Sequence, residues 1–379
     1  MGLIEIGGKY TSAIIYTVDD ETAIDQHALA QVQMLCDSEA CAGSRIRVMP
    51  DVHAGKVGSI GLTMTVGDKV MPALVGNDIG CGVTATRIRA KGALDFFKLD
   101  KVVREACGNG PRRKEGSRFE EDVRRCAGFL LCREHVQVER AVHAIGTLGG
   151  GNHFVELDRG SDGSLYLVVH SGSRILGQQV YDHYMREGHR ALKRAGEADA
   201  VPYETTWLEG DLLAAYGEDM STTCSYAEIN REAMVSGICK GMKWKRDETL
   251  VIPHNYIDEL GVLRKGAISA SKGEPVLIPA NMRDGIIMGI GKGNPDWNFS
   301  APHGSGRVLK RSDVKAQHTV AEFKREMKRA WTSCIGAGTL DEAPFAYRGI
   351  DQIRDAIGET VEVADVLKPL YVFKNGGEG

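Results

Sequence analysis

The chain has 379 residues, of which 42% are hydrophobic and 26% are charged, a composition typical of a globular protein with a large buried core. The net charge of −4 argues against a protein coated in basic residues. No apolar stretch approaches the roughly 18 residues that a membrane-spanning helix needs, so no membrane partner is expected.

Strands and helices are predicted to alternate from the start of the chain. Residues 10–16 are rich in β-forming side chains, apolar residues follow at helical spacing over 24–36, and residues 45–49 are extended again. Apolar periodicity predicts further helices over 119–131, 226–242 and 320–331. Short apolar runs predict strands at 165–169 and 250–252, each shortly before a histidine.

Two stretches, 108–116 and 188–202, are the most typical of loops. Candidate site residues lie on both sides of each stretch, which argues against either being a domain linker. We therefore predict a single α+β domain over residues 1–379. It should contain mixed β-sheets with flanking helices and a metal site assembled from loops.

The segment that suggests a metal site is Val75-Gly76-Asn77-Asp78-Ile79-Gly80-Cys81-Gly82-Val83. It places a carboxylate and a thiol three positions apart on a glycine-flanked loop. His153, His170 and His254 each lie beside Gly, Ser, Asn or Pro, as expected of side chains at loop or strand ends that point into a cavity. Together these side chains suit one divalent ion, or two bridged by the thiolate, with Mn, Fe, Co, Ni and Zn all open.

Each of these residues also has an ordinary structural interpretation, with Cys81 as a small buried hydrophobe, Asp78 as a turn former and the histidines as satisfied side chains. Their joint presence favours the metal site, because each residue would otherwise need a separate explanation. His53 is intermediate, and Asp51 near it is a candidate supporting or substrate-contacting residue. The other histidines lie in charged or helical contexts that favour the ordinary interpretation: His27, His135, His143, His183, His189 and His318.

A second segment, Ser300-Ala301-Pro302-His303-Gly304-Ser305-Gly306-Arg307, is typical of a loop that handles phosphate. Neutral imidazole is a competent nucleophile near pH 7, which makes His303 a candidate for attack at phosphorus. Flanking glycines let backbone N–H groups approach phosphate oxygens, and Arg307 offers a bidentate guanidinium. The alternative is a turn that contains an incidental histidine.

Other sequence features limit the choice of function. The chain has no Gly-x4-Gly-Lys-[Ser/Thr] loop, no Gly-x-Gly-x-x-Gly fingerprint and no His-Glu-x-x-His helix. Basic clusters at 112–114, 124–125, 240–246 and 310–311 are mostly interspersed with acids, which favours solvated helix faces over a nucleic-acid surface. Nine scattered cysteines without a Cys-x-x-Cys pair, and no apparent signal peptide, favour a cytoplasmic location.

The ordered motifs closely resemble those of the RtcB family of RNA ligases, from about residue 45 to the last lysine. In this chain they are Met-Pro-Asp-Val-His-x-Gly-Lys, Asp-Ile-Gly-Cys-Gly, Gly-Asn-His-Phe, His-Ser-Gly-Ser-Arg, His-Asn-Tyr, His-Gly-x-Gly-Arg, Ala-Tyr-Arg and a near-terminal lysine. The chain departs from the usual family residues at Ser305, where alanine is common, and in the turn from Pro279 to Met282.

The resemblance implies a role for individual residues. Asp78, Cys81, His153, His170 and His254 would hold two Mn²⁺ ions, with Cys81 bridging, and His303 would become covalently guanylylated. Asp51, Arg174 and Arg307 would act near the RNA or phosphate. The implied nucleotide contacts are Asn152, His153, Phe154, Val155, Glu156, Asn255, Pro279, Ala280, Asn281, Met282, Gly304, Ser305, Gly306, Tyr347 and Lys374.

The implied reaction joins an RNA 3′-phosphate or 2′,3′-cyclic phosphate end to a 5′-hydroxyl end, with GTP as co-substrate, in RNA repair or tRNA splicing. An activating helper protein is a further partner to consider. Two alternatives stay open from the residues alone. One is a metal-dependent phosphodiesterase or end-healing hydrolase that uses no nucleotide, and the other is a non-catalytic RNA-end binding protein.

Overall fold

The computed structural model describes residues 2–18, 24–108, 118–199 and 201–375. The strands in these ranges are β1 (Gly2–Gly7), β2 (Ser12–Thr17), β3 (Ile46–His53), β4 (Ile60–Thr65), β5 (Lys69–Val70), β6 (Gly82–Arg89), β7 (Phe154–Arg159), β8 (Leu165–Ser171), β9 (Leu208–Glu209), β10 (Lys245–Pro253), β11 (Asn255–Ile257), β12 (Val262–Lys265), β13 (Ala267–Ser269), β14 (Pro275–Asn281), β15 (Gly285–Gly291), β16 (Ser300–Pro302) and β17 (Val361–Phe373). The helices are α1 (Gln26–Cys36), α2 (Phe96–Cys107), α3 (Arg118–Gly128), α4 (Val138–Ala144), α5 (Arg174–Ala195), α6 (Gly210–Met242), α7 (Arg311–Gln317), α8 (Val320–Glu326) and α9 (Ile350–Ala356).

Two large sheets organise these elements. The first has six strands in the order β1-β2-β3-β4-β12-β11, in which β2 and β3 run parallel and the other neighbours antiparallel. The second has seven antiparallel strands in the order β10-β6-β8-β7-β17-β15-β14. Antiparallel neighbours place the end of one strand beside the start of the next. This second sheet therefore brings distant parts of the chain together at one end of its strands.

Alternating side chains of β7 show how the second sheet is covered on both faces. Val155 and Leu157 pack in a core with residues of α2 and α6, such as Leu99 and Met234. Phe154 faces the other side and packs with apolar residues of β6, β8, β14, β15 and β17. The sheet is therefore held between two apolar layers, which fixes the positions of the polar residues at the ends of its strands.

The predicted α+β class, with mixed sheets and flanking helices, is confirmed. The helices predicted over 24–36 and 119–131 correspond to α1 and α3, and the strands predicted at 10–16, 45–49, 165–169 and 250–252 correspond to β2, β3, β8 and β10. The prediction over 320–331 is correct only in its first part, because α8 ends at Glu326 and a short 3₁₀ turn, Met327–Arg329, follows. Most of the loop predicted over 108–116 lies outside the described residues.

Two helix boundaries were predicted wrongly. The loop predicted over 188–202 is helical in its first half, because α5 continues to Ala195. A Cβ on the buried Gly188 would lie 2.6 Å from Leu208 Cδ2, so this glycine serves close packing rather than a turn. The helix predicted over 226–242 begins earlier, at Gly210, because small and polar residues such as Ser221 and Thr223 obscure the apolar period of its first half.

Candidate active site

The five candidate metal ligands come together at one end of neighbouring strands of the seven-stranded sheet. Asp78 and Cys81 lie on the tight turn before β6, His153 directly precedes β7, His170 is near the end of β8, and His254 separates β10 from β11. Strand register brings them together, since Gly82 pairs with Ser171 and with Pro253, and Phe154 pairs with His170. The predicted assembly of the site from loops and strand ends is confirmed.

Their side chains form two groups that share one thiol. Cys81, His170 and His254 form one group, and Asp78, Cys81 and His153 form the other. The Cys81 sulfur lies 3.4 Å from Nε2 of both His153 and His170. His170 Nε2 is 3.3 Å from His254 Nε2, and His153 Nε2 is 3.2 Å from Asp78 Oδ2.

These separations fit metal coordination. Two donor atoms that share a first-row ion at about 2.0–2.3 Å and tetrahedral angles lie roughly 3.3–3.6 Å apart. The sulfur–nitrogen distances of 3.4 Å and the nitrogen–nitrogen distance of 3.3 Å fall in this range. Thiolate, imidazole and carboxylate donors suit first-row divalent ions. The donor set therefore fits divalent metal coordination, with Cys81 common to both ligand groups.

The protonation states of the free side chains favour metal binding at His170 and His254, whereas the Cys81 thiol must lose a proton to bind a metal. Burial lowers the pKa of His170 and of His254 well below the usual value, so both imidazoles are neutral near pH 7. Burial and the Asp78 carboxylate raise the pKa of the Cys81 thiol well above its usual value. Burial alone would raise the pKa of Asp78, but its hydrogen bond to His153 and the charge of that imidazole hold the pKa at about 2.

Two polar residues of α6 brace the ligand-bearing segments, and neither was predicted from the sequence. Arg231 is fully buried and donates to the carbonyl oxygens of Gly80 and Ser171, at 2.9 and 2.8 Å. Asn230 donates to the carbonyl oxygen of Gly172 at 3.1 Å. Polar residues on the apolar face of a predicted helix were the signal available, since buried polar groups require partners.

The candidate nucleophile His303 adjoins this cluster. Its ring centroid lies 4.8 Å from that of His254, and its Nδ1 lies 2.8 Å from Oδ2 of the fully buried Asp51. Because an ionised carboxylate only accepts hydrogen bonds, Nδ1 of His303 carries the proton and Nε2 holds the free lone pair. His53 lies nearby with its Nδ1 2.9 Å from the Asp51 carbonyl oxygen, and burial lowers its pKa to about 4.

A cavity of about 940 Å³ opens beside His303, large enough for a nucleotide. Many of the expected nucleotide contacts line it: Asn152, Phe154, Glu156, Pro279, Ala280, Asn281, Met282, Gly304, Ser305, Gly306, Tyr347 and Lys374. Ser305 donates to the Ala280 carbonyl oxygen at 2.9 Å, so two of the segments in which the chain departs from the usual family residues touch each other.

Two of the residues expected at the nucleotide lie elsewhere. Val155 packs in the apolar core on the other face of β7. Asn255 accepts a hydrogen bond from the Gly266 N–H at 2.9 Å and donates to the Asp78 carbonyl oxygen at 3.2 Å, so it braces the ligand turn. Arg174 lies at the start of α5 with φ of 52°, and its guanidinium covers Gly149, where any side chain would collide with it.

The cavity lining includes a charged network centred on Glu342, a role that was not predicted from the sequence. The Glu342 carboxylate lies 2.8 Å from Lys374 Nζ, accepts a hydrogen bond from the Tyr347 hydroxyl at 2.6 Å and pairs with Arg307 and Arg311. Burial alone would raise the pKa of Glu342, but the charges of Lys374 and Arg311 hold it at about 2. Arg307 also donates to the Tyr347 hydroxyl at 2.9 Å, which fixes the tyrosine ring.

The basic clusters mostly have acidic partners. Arg124 of α3 pairs with Glu120 and Glu139, as expected for a solvated helix face. Arg246 pairs with Glu232 at 2.6 Å, but it lies on strand β10 rather than on a helix. Arg311 differs because it lines the cavity. Residues 112–114 lie outside the described part of the chain.

Glu156 and Asp158 are two buried carboxyl groups on the cavity side of β7. Burial raises the pKa of Glu156 to about 8, and neither oxygen of Asp158 has a hydrogen-bond partner among the described residues. Glu156 titrates near 4.5 in an unfolded chain, so unfolding releases its proton at intermediate pH. The free energy of unfolding should therefore decrease as the pH rises from about 4.5 towards about 8.

We expect Glu156→Gln to reduce the loss of unfolding free energy between pH 6 and pH 8 by about 2 kcal/mol, because the amide does not titrate. Urea denaturation of metal-free protein at both pH values measures this loss. Glu105→Gln, at an exposed site on α2, is the control and should match wild type. An unchanged pH dependence in Glu156→Gln would contradict the prediction.

Sequence comparisons agree with this site. A family model described as tRNA-splicing ligase RtcB matches residues 31–128 and 109–375. The RNA-splicing ligase RtcB of Escherichia coli K12 is 28% identical over 368 residues, which cover 87% of this chain and 90% of that protein. The tRNA-splicing ligase RtcB of Aeropyrum pernix is 25% identical over 433 residues, covering 86% of this chain and 87% of that protein.

The described part of the chain contains no helix long and apolar enough to cross a membrane. The resemblance noted in the sequence is confirmed, because the family model matches most of the chain and every motif histidine stands at the site described above. The chain belongs to the RtcB family of RNA ligases.

Proposed function

We propose that this protein is a GTP- and Mn²⁺-dependent ligase that joins an RNA 3′-phosphate or 2′,3′-cyclic phosphate end to a 5′-hydroxyl end. One observation carries the proposal. A histidine whose Nδ1 is held by a buried carboxylate lies beside two ligand groups that share a thiol, and it lines a nucleotide-sized cavity. A nucleophile, a polyphosphate-binding centre and a base pocket are the parts that nucleotidyl transfer requires.

His303 is the proposed nucleophile. Its Nε2 lone pair attacks the α-phosphorus of GTP, the P–O bond to the β-phosphate breaks, and pyrophosphate leaves with the bonding electrons. Asp51 keeps the proton on Nδ1 and stabilises the positive charge that the imidazole gains in the transition state, which is a positioning and electrostatic role. When bound, the two ions neutralise phosphate charge and orient the attack.

The later steps transfer the nucleotide to RNA. A 3′-phosphate oxygen attacks phosphorus of the histidine-bound GMP and breaks the N–P bond, which returns the lone pair to Nε2 of His303. The RNA 5′-hydroxyl then attacks the activated 3′-phosphate, and GMP leaves. A cyclic phosphate first adds water to become a 3′-monophosphate. Gly304 and Gly306 line the cavity beside His303, and Gly306 lets this loop pack against Asp51, whose carbonyl oxygen would lie 2.5 Å from a Cβ there.

The base of GTP is assigned to the part of the cavity lined by Tyr347 and Lys374. Tyr347 offers an aromatic ring, and Lys374 offers donors near the Asn152 carbonyl oxygen. Glu342 keeps Lys374 and Tyr347 in place through the contacts described above. Arg307 is engaged in the same network, so we assign it to holding Tyr347 rather than to direct phosphate binding.

We also propose that residues 1–379 form one catalytic domain. The site combines Asp51 near the start of the chain with Lys374 near its end, and residues between them supply the metal ligands. A cytoplasmic location and an activating helper protein complete the proposal, because they are implied by the family resemblance and the reduced thiols. Eight of the cysteines are free thiols in the described residues: Cys36, Cys41, Cys81, Cys126, Cys132, Cys224, Cys239 and Cys334.

The test is a ligation assay with two RNA oligonucleotides, one ending in a 3′-phosphate and the other starting with a 5′-hydroxyl. We expect joined product only when Mn²⁺ and GTP are both present. Opening of a cyclic phosphate without nucleotide, and no joining, would favour the hydrolase. RNA binding with no turnover under any combination of metal and nucleotide would favour the binding protein.

A further inference from the structure

An exposed aromatic surface lies outside the cavity, where α2 meets the segment around Trp331. Phe97 of α2 is 79% exposed and contacts the Trp331 ring edge-on, with centroids 5.3 Å apart. Trp331 in turn stacks on Tyr371 of β17 at 5.5 Å. Backbone hydrogen bonds from Trp331 to Leu370 and from Val372 to Trp331 fix this segment to the strand. The aromatic rings are therefore held on a rigid support and left open on one side.

Positive charge surrounds these rings. Lys101 and Arg104 follow Phe97 at helical spacing and are exposed, and Lys328 and Arg329 are exposed just before Trp331. Arg104 pairs with Asp100 at 2.8 Å, and the Arg104 guanidinium lies 5.0 Å from the Phe373 ring centroid. We call Phe97, Lys101, Arg104, Lys328, Arg329 and Trp331 the Phe97 surface.

This combination fits single-stranded nucleic acid. Unpaired bases stack on exposed aromatic rings, and lysine and arginine contact the phosphates between them. The charges of residues 95–105 balance, whereas segment 324–331 carries four cations, Lys324, Arg325, Lys328 and Arg329, against one acid, Glu326. This local excess of positive charge beside Trp331 favours RNA phosphates over a protein partner, unless that partner is itself acidic.

The Phe97 surface connects directly to the active site. Phe97 stands near the start of α2, and Cys107 at its end, about 15 Å away, accepts a hydrogen bond from the Leu148 N–H. The Leu148 carbonyl oxygen lies 2.8 Å from His153 Nδ1. On the neighbouring strand, Phe373 directly precedes Lys374 of the cavity. An RNA segment of a few nucleotides is long enough to span the roughly 15 Å between Phe97 and Cys107.

We propose that the Phe97 surface binds unpaired nucleotides of the RNA substrate a few positions away from the end that is joined, with a base stacked on Phe97 against the edge of Trp331. The inference rests on the proposed function for the identity of the ligand, and it extends that function by naming where the body of the RNA lies.

The test compares the full-length variants Phe97→Ala and Phe129→Ala, the second being a matched phenylalanine that is 70% exposed after α3. Binding of single-stranded RNA 3′-phosphates of about four and about sixteen nucleotides is followed by fluorescence anisotropy. We expect Phe97→Ala to raise the Kd for the longer RNA about 5- to 150-fold and to leave the shorter RNA unchanged. Phe97→Trp should restore binding, and Phe129→Ala should match wild type.

Two further measurements separate the outcomes. Because binding requires neither GTP nor turnover, RNA that binds but is not joined leaves this inference standing and overturns the ligase. Joining by wild type with equal affinity of Phe97→Ala for the longer RNA overturns the inference alone. A change in oligomeric state of Phe97→Ala by light scattering, with unchanged RNA affinity, would assign the surface to a protein contact instead and also overturn it.

Discussion

Replacing Cys81 with alanine should remove both metal ions at once and abolish RNA joining. Cys81 is the one side chain common to both ligand groups, so its loss leaves each group one donor short. Loss of a residue that merely supports a ligand weakens metal binding by about 10- to 100-fold, and loss of a bridging thiolate should exceed this. By contrast, His254→Ala removes a donor from only one group and should reduce the bound metal from two ions to one.

Metal content after loading with Mn²⁺ and rapid desalting measures this effect directly. Cys224→Ala is the matched control, because Cys224 packs against Gly80 of the ligand turn but belongs to neither ligand group. We expect wild-type stoichiometry for Cys224→Ala. Two ions retained in Cys81→Ala would show that the thiol does not bridge, and equal losses in Cys81→Ala and His254→Ala would show that the two groups do not act separately.

Replacing Asp51 with asparagine should slow guanylylation by about 100- to 10,000-fold without changing the bound metal. The asparagine amide can donate a hydrogen bond to Nδ1 of His303, which favours the tautomer with its proton on Nε2. In that tautomer Nε2 lacks the lone pair that attacks phosphorus. The substitution also removes the negative charge that stabilises the imidazole during attack. The pH profile of the residual rate should change as well, because the carboxylate no longer selects the tautomer.

Single-turnover formation of the GMP adduct measures this rate. Asp68→Asn, at an exposed position after β4, is the control and should react as wild type does. Normal adduct formation in Asp51→Asn would limit Asp51 to a structural role. Loss of the metal ions in Asp51→Asn would show general damage to the site rather than an effect on His303.

The candidate site could be predicted largely from the sequence because its ligands occur in short, unusual local patterns. A carboxylate and a thiol on a glycine-rich turn, and histidines directly at strand ends, cannot be explained by an apolar core. The strand predictions at 165–169 and 250–252 were enough to place His170 and His254 at strand ends. Which strands are neighbours is not encoded locally, so the pairing into two groups around Cys81 required the structure.

The site residues that were not predicted from the sequence are those that act through long-range contacts. Glu342 looks like an ordinary helical or loop acid in the sequence, and its role follows only from four basic or hydroxyl partners drawn from three parts of the chain. Arg231 is likewise one of many charged residues until its burial is known. Asp51 was predicted either to support a neighbouring residue or to contact substrate, and its partner His303 lies 252 positions away in the sequence.

Intact-protein mass spectrometry after incubation with Mn²⁺ and GTP tests the central claim most directly, with His303→Ala treated in parallel. We predict an acid-labile increase in mass equal to one GMP on the wild type and none on His303→Ala, because Nε2 of His303 forms the phosphoramidate bond. An adduct that persists in His303→Ala would assign the nucleophile to another residue. If the wild type forms no adduct with GTP or ATP, whether Mn²⁺ or another metal is present, the result would contradict nucleotidyl transfer and favour the hydrolase.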